Sequence, residues 1–159
     1  ALTCMTIWRC MFSGAGNCSY PATAMRGRVV VINETRDSAI CLRADGRRIR
    51  QIVLHLVSIA VKFSRDEGAV RVSIEIEEGG PALLCIEDSG VWIEQHEIDG
   101  AFEPFVQFGG PGRTREGTGL GLPLTRQLVE LHGGSLTLES QRDKGTRALV
   151  RFPPQRVVV

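Results

Sequence analysis

The chain has almost no net charge. Nineteen lysines and arginines stand against 18 aspartates and glutamates, leaving +1. The arginines are scattered with acids between them, so the basic footprint that nucleic acids require is missing. A long hydrophobic run is missing too. The longest, Ile52 to Val61, is interrupted by His55 and Ser58 and is too short to span a bilayer. The N-terminus lacks the basic start and apolar core of a signal peptide. No Cys-x-x-Cys pair occurs and the three histidines are dispersed, which argues against a zinc site. The five cysteines (Cys4, Cys10, Cys18, Cys41 and Cys85) are odd in number and irregularly spaced, unlike a disulfide framework. Cys85 lies in an apolar strand and reads as a small core residue. No internal repeat or low-complexity tract is present. The expectation is a reduced, cytoplasmic chain with no nucleic-acid partner and no membrane contact in this domain.

What is there suits one globular domain. At 159 residues, 43% hydrophobic and 23% charged, the chain can bury roughly two-thirds of its unfolded surface without covalent staples. Leu2, Met5, Trp8, Met11 and Phe12 fit one face of a short N-terminal helix, broken at 13–17. Val29 to Ile32 reads as a buried strand and 39–43 as a short strand hairpinned to it. Asp45 caps a helix from Gly46 to about Phe63, with Ile49, Ile52, Val53, Leu56, Val57, Ala60 and Phe63 as its buried stripe. Arg47, Arg48 and Arg50 oppose the dipole of that helix and read as a solvated arginine face or a partner surface. Val70, Val72, Ile74 and Ile76 alternate with polar residues, a half-buried strand that returns through 78–81 into a more buried strand over 82–87. A short helix fits 94–101. The region 106–116, rich in Gly109, Gly110, Pro111, Gly112, Arg113 and Arg115, reads as a lid or as a plain surface loop. A helix follows from Thr118 to a glycine stop at His132-Gly133-Gly134, with Leu120, Leu124, Leu128 and Leu131 recurring along it. Strands at 135–140 and 148–152 complete the chain, and 154–159 reads as a frayed tail. The organisation is thus an N-terminal helix and strands over 1–43, a core over 44–153 and the tail.

Two stretches carry chemistry. Gly117-Thr118-Gly119-Leu120-Gly121-Leu122 is a glycine loop running into an amphipathic helix, whose free N–H groups and positive dipole end favour a phosphate. Asp88 ends a hydrophobic strand just before Ser89-Gly90, placing a carboxylate where it can read a base amino group. Either stretch alone also fits a tight turn.

Together, and in this order, they resemble the catalytic ATP-binding domain of bacterial sensor histidine kinases, within the superfamily of gyrase, Hsp90 and MutL ATPases. The resemblance runs from about Ala44 to Phe152. The segment from Asp45 to Ser64 is similar to the family's asparagine box, and Asp88 to Ile93 to its first glycine box. Phe102-Glu103-Pro104-Phe105 is similar to its phenylalanine box, Gly117 to Leu122 to its second glycine box, and Gly145-Thr146 to the closing Gly-Thr pair. The resemblance implies an α+β fold of the Bergerat type: a two-layer sandwich with a mixed, mostly antiparallel sheet and helices on one face. It implies ATP as cofactor, with Mg²⁺ expected. The nucleotide site would comprise Asp88 on the adenine amino group, Gly90, Lys62 reaching toward the phosphates, and Phe102. Gly117, Thr118, Gly119, Leu120 and Gly121 would lie at the phosphates, and Thr146 at the adenine end. His55 is the candidate catalytic side chain. The implied reaction moves the γ-phosphate to a histidine on a dimerisation helix of the same or a partner kinase, and a response regulator follows as partner.

The sequence departs from the family in three places. The family's magnesium-binding asparagine falls at Ile59, which offers a hard cation no oxygen, so no metal ligand is assigned. The neighbouring asparagine position is His55, as in chemotaxis-type kinases. Trp92 replaces the last glycine of the first glycine box, where it would fill the space beside the base or stack on the purine. No His-Glu-x-x-Thr-Pro type acceptor segment is present, so the phosphoacceptor is expected on a separate domain. A second reading follows from these departures: a degenerate module with weak or no nucleotide binding that acts through protein–protein interaction. A gyrase-like or Hsp90-like ATPase is disfavoured, because the glutamate base it requires falls at His55. An anti-sigma serine kinase fits Phe102 to Phe105 less well.

Overall fold

The computed structural model describes residues 3–6, 29–35, 40–106 and 118–158. In chain order these form strands β1 (Thr3–Thr6), β2 (Val30–Asn33) and β3 (Cys41–Ala44), helix α1 (Gly46–Phe63), and strands β4 (Ala69–Ile76) and β5 (Ala82–Asp88). Helices α2 (Gln95–Gly100) and α3 (Gly121–Glu130), strands β6 (Ser135–Gln141) and β7 (Gly145–Phe152), a 3-10 turn at Pro154–Arg156 and strand β8 (Val157–Val158) follow.

The main sheet has the order β2-β4-β5-β7-β6. Only the β2/β4 pair is parallel; the other three are antiparallel. Strand alternation divides its residues between two faces. Val70, Val72 and Ile74 of β4, Leu84 and Ile86 of β5, and Val150 and Phe152 of β7 point to one side. There they share a single core with Ile49, Ile52, Val53, Leu56, Val57 and Ala60 of α1 and with Leu122, Leu128 and Val129 of α3. The helices therefore cover one face, and the expected two-layer α+β sandwich is what the chain forms. On the opposite face Leu83, Cys85 and Leu149 make a small separate cluster. Cys85 is buried there, and its loss of solvation pushes the thiol up.

Helix α1 occupies the expected span, and Asp45 caps it by accepting from the Arg47 and Arg48 backbone N–H groups at 2.9 and 3.3 Å. Its buried stripe gains Val61, while Phe63 is only half-buried.

Several expectations are corrected. β2 and β3 do not form a hairpin: β2 lies parallel to β4, and β3 joins a second sheet of order β1-β3-β8. β2 is an edge strand with Val30 and Ile32 exposed rather than a buried one. Thr3–Thr6 is a strand antiparallel to β3, where spacing predicts the start of a helix; the two threonines are β-branched and suit a strand. The rest of that predicted helix lies outside the described residues. The tail is not frayed: Val157 and Val158, both β-branched, pair with Leu42 and Cys41, and Arg156 donates to the Arg43 carbonyl at 3.2 Å. On α3 the leucine series does not mark the buried face. Leu124 is 40% and Leu131 76% exposed, and the core side is Leu122, Thr125, Leu128 and Val129. Helical spacing defines a stripe but not its direction, and the stripe with Thr125 in it is the one that packs.

Candidate functional site

The site lies between the sheet and the helices α1 and α3, and it has two compartments. The first is a slot behind the end of β5, lined by Leu56, Phe63, Ile86, Asp88, Ile93 and Thr146 among others. Asp88 is 5% exposed and accepts a 2.8 Å hydrogen bond from the Gly90 N–H through Oδ1. Burial pushes its carboxyl up to about 6, opposed by hydrogen bonds from the Gly90 and Thr146 backbones. The backbone around it is packed too closely for side chains. A Cβ on Gly90 would collide with the Phe63 carbonyl, and one on Gly145 with the Asp88 carbonyl. Gly145 also holds φ +94°, a conformation other residues rarely adopt. These contacts seat Asp88, the end of α1 and the start of β7 against one another, so the carboxylate has one position.

Two residues of the slot lining, Ile93 and Thr146, are held by a residue that motif reading missed. Ser140 is paired with Thr146 across the β6/β7 ladder. Its hydroxyl accepts the Ile93 N–H at 2.8 Å and lies 3.0 Å from the Thr146 hydroxyl and 3.1 Å from the Gly145 carbonyl. Leu136, Leu138 and Ser140 alternate on the core side of β6, and a hydroxyl ending an otherwise apolar stripe was the available signal. Trp92 neither fills the slot nor lines it. Its indole N–H donates to Glu94 at 3.0 Å, and the Arg142 guanidinium sits 5.1 Å from its ring centroid. The indole is thus held on the outside of the segment that carries Ile93.

The second compartment, about 200 Å³, opens beside the start of α3. Its lining is Ile59, Lys62, Phe63, Ala101, Val106, Thr118, Gly119, Gly121, Leu122 and Pro123. No side chain caps the N-terminus of α3, and no acid lies in its first turn. The backbone N–H groups of Gly121 and Leu122 and the positive dipole end are therefore available to an anion. Gly119, with φ +68°, packs against the Phe105 backbone, where a Cβ would lie 2.7 Å from the Phe105 carbonyl carbon. The Phe105 N–H donates to the Gly119 carbonyl at 3.0 Å. Phe102, half-buried, sits under the Arg126 guanidinium at 5.2 Å. Leu120 precedes α3 and is partly exposed. Gly117 and most of the expected lid lie outside the described residues.

Ile59 lines both compartments, and its Cδ1 lies 3.6 Å from the position a Cβ on Gly121 would take. It bridges α1 to the first turn of α3. One helical turn earlier, His55 faces the same seam. Its Nδ1 is 3.3 Å from the Thr125 hydroxyl, which donates at 2.7 Å to the Gly121 carbonyl. With that hydroxyl proton committed, the ring nitrogen is the donor and Nδ1–H the tautomer. His132 is buried at the far end of α3, with Nδ1 2.8 Å from the Leu128 carbonyl and Nε2 accepting the Asp45 N–H at 3.4 Å. It ties the two helices together away from the site.

A two-layer sandwich with a buried carboxylate at a strand end and an open helix N-terminus across from it defines a nucleotide-site architecture. The family described as histidine kinase-, DNA gyrase B-, and HSP90-like ATPase matches residues 44–156, and the chain belongs to it. Within that family the similarity is to histidine kinases. The chain is 34% identical over 144 residues to the cell-division control histidine kinase PdhS of Brucella abortus, covering 85% of this chain. It spans only 14% of that protein's length. Among solved structures, the mycobacterial sensor histidine kinase MprB aligns with a TM-score of 0.67 and 27% identity over 79% of this chain and 81% of that one. Full-length ShkA in complex with AMPPNP aligns with a TM-score of 0.68 and 25% identity over 79% of this chain and 25% of that one. The chain is thus homologous to the ATP-binding catalytic domains of histidine kinases. Among the described residues no helix is long and apolar enough to cross a membrane.

Proposed function

We propose that this domain binds ATP in the two compartments and presents its γ-phosphate to a histidine on a dimerisation helix of the same or a partner kinase, from which a response regulator is phosphorylated. The observation that carries the reading is Asp88, a buried carboxylate fixed by Gly90 at the mouth of a slot that also holds Thr146. An ionised carboxylate there accepts from an exocyclic amino group such as that of adenine. In this reading the phosphates extend into the second compartment, toward the N-terminus of α3, with Thr118, Gly119, Leu120 and Gly121 around them. Lys62 supplies positive charge, and Gly117 completes the loop. Phe102 supports the segment that Gly119 packs against. His55 acts through Thr125 on the first turn of α3, which makes it a positioning residue rather than a group that touches the phosphates. Phosphoryl transfer asks the protein mainly for placement and charge compensation, and these residues supply both.

Mg²⁺ would supply charge neutralisation at the phosphates, but the described residues do not fit it. The second compartment offers one hydroxyl, Thr118, and one ammonium, Lys62, with a hydrocarbon side chain at position 59. Among the described residues no cluster of His, Cys, Asp and Glu could hold a metal. The same observation favours a second reading, a module that binds nucleotide weakly and works through protein contacts. The slot as it stands encloses about 30 Å³, so a purine must widen it.

The two readings separate when the chain is mixed with a histidine-kinase dimerisation domain and ATP labelled in the γ-phosphate. Label appearing on the acceptor histidine supports catalysis. Nucleotide binding without transfer supports the second reading, and no binding at all overturns both nucleotide roles.

A further inference from the structure

We propose that the site takes adenine nucleotides as metal-free anions and binds ADP and ATP alike, with the base rather than a metal-bridged phosphate supplying the affinity. The proposal rests on the adenine-nucleotide reading above and adds to it the form in which the ligand is held. Magnesium wants six oxygens in near-octahedral array, and a protein that uses it contributes at least a carboxylate or amide oxygen. Among the described residues, the phosphate compartment contributes neither. The seam where such an oxygen could stand is filled by hydrocarbon, since Ile59 Cδ1 reaches to within contact of Gly121. The one polar side chain that follows it along the seam, His55, is turned to Thr125.

A nucleotide carrying Mg²⁺ therefore gains no carboxylate or amide ligand from the described residues on entering. To the site it differs from the free nucleotide only in being less negative. Among the described residues, the charges that face it are the Lys62 ammonium and the positive end of α3, and both favour the more negative form. The third phosphate finds no dedicated acceptor among the described residues, and its charge is screened in an open compartment. By contrast, the group that would read the base, Asp88, is buried and already oriented by the Gly90 N–H, so a hydrogen bond to it is directional and shielded from solvent. The ligand class is adenine nucleotides of either phosphate number.

The test is calorimetric titration of ADP and of AMPPNP into the chain, each in Mg²⁺ and in EDTA, with the variants I59N, I59L and D88N alongside. All four wild-type titrations are expected to agree within a few-fold. A gain of about tenfold or more with Mg²⁺, the size of one charge-assisted contact, would overturn metal-free binding while leaving the adenine-nucleotide reading intact. A comparable preference for AMPPNP over ADP would overturn phosphate indifference. I59N is expected to acquire magnesium dependence and I59L to remain without it; the wild-type comparison stands even if I59N fails to fold. D88N should lose binding of both nucleotides, and unchanged binding in D88N would overturn base-directed affinity. No heat with any nucleotide would overturn the adenine-nucleotide reading itself.

Discussion

The two compartments of the site are built by different means. The base slot is anchored by close backbone contacts: Gly90 against Phe63, Gly145 against Asp88, and the β6/β7 ladder that brings Ser140 to Thr146. The phosphate compartment is made of side chains on two helices, and its character depends on what stands at one position of α1. A slot of the first kind cannot change without disturbing the sheet. A compartment of the second kind can exchange an oxygen for a methyl group and leave the packing intact, because Ile59 simply joins the apolar seam between α1 and α3. In the adenine-nucleotide reading, base recognition is thus tied to the fold of this domain, and metal recognition is not.

The contrast can be broken most severely at Gly145. G145A places a methyl group into the Asp88 carbonyl at a φ of +94°, and should cost roughly 2–4 kcal/mol of stability. Thermal unfolding reads this directly, and a melting temperature unchanged from wild type would show that the slot is more pliable than its contacts imply. Next comes Asp88 itself. Its carboxyl is raised from 3.8 to about 6, so in the unliganded domain the ionised form is the disfavoured one. The stability this group contributes is fully present below pH 3.8 and is lost as pH rises through 6. D88N should therefore raise stability at pH 7 by about 1–2 kcal/mol while abolishing nucleotide binding. A destabilised D88N would contradict the burial argument.

Binding follows the opposite sign, because an adenine amino group needs the ionised carboxylate. Affinity measured across pH 5 to 8 should hold above the Asp88 value of about 6 and fall below it, by up to about tenfold per unit. A flat profile would place the base away from Asp88. The smallest effect is expected at Trp92. It packs outside the slot on Arg142, so W92A should cost about 0.5–1 kcal/mol of stability and shift nucleotide affinity little. A large loss of affinity would move the indole into the site.

The same division explains what could be read in advance. The span of α1, the β4/β5 hairpin and the position of Asp88 at a strand end follow from periodicity, capping and turn chemistry, all local in sequence. The glycine boxes were visible because close backbone approach demands a particular residue type. Partnerships across the chain were not visible. The parallel β2/β4 pairing, the second sheet that gathers β1, β3 and β8, and the Ser140–Ile93 contact join residues dozens of positions apart. The outward turn of Leu124 and Leu131 was hidden for a different reason: two stripes on α3 were both plausible, and only the packing of Thr125 beneath His55 decides between them. Trp92 was misjudged because its neighbours in space, Arg142 above all, lie on a distant turn.

The seat of Ile59 on Gly121 has a consequence for inheritance. Two of the three isoleucine codons differ from an asparagine codon by the middle base alone, so for these a single point mutation converts the one into the other. The apolar replacement is accepted by the helix seam, so such a change passes through folding without a mark. A return mutation is equally close, and selection for metal-dependent phosphotransfer in a population carrying this gene should recover it at this codon before altering any glycine of the base slot.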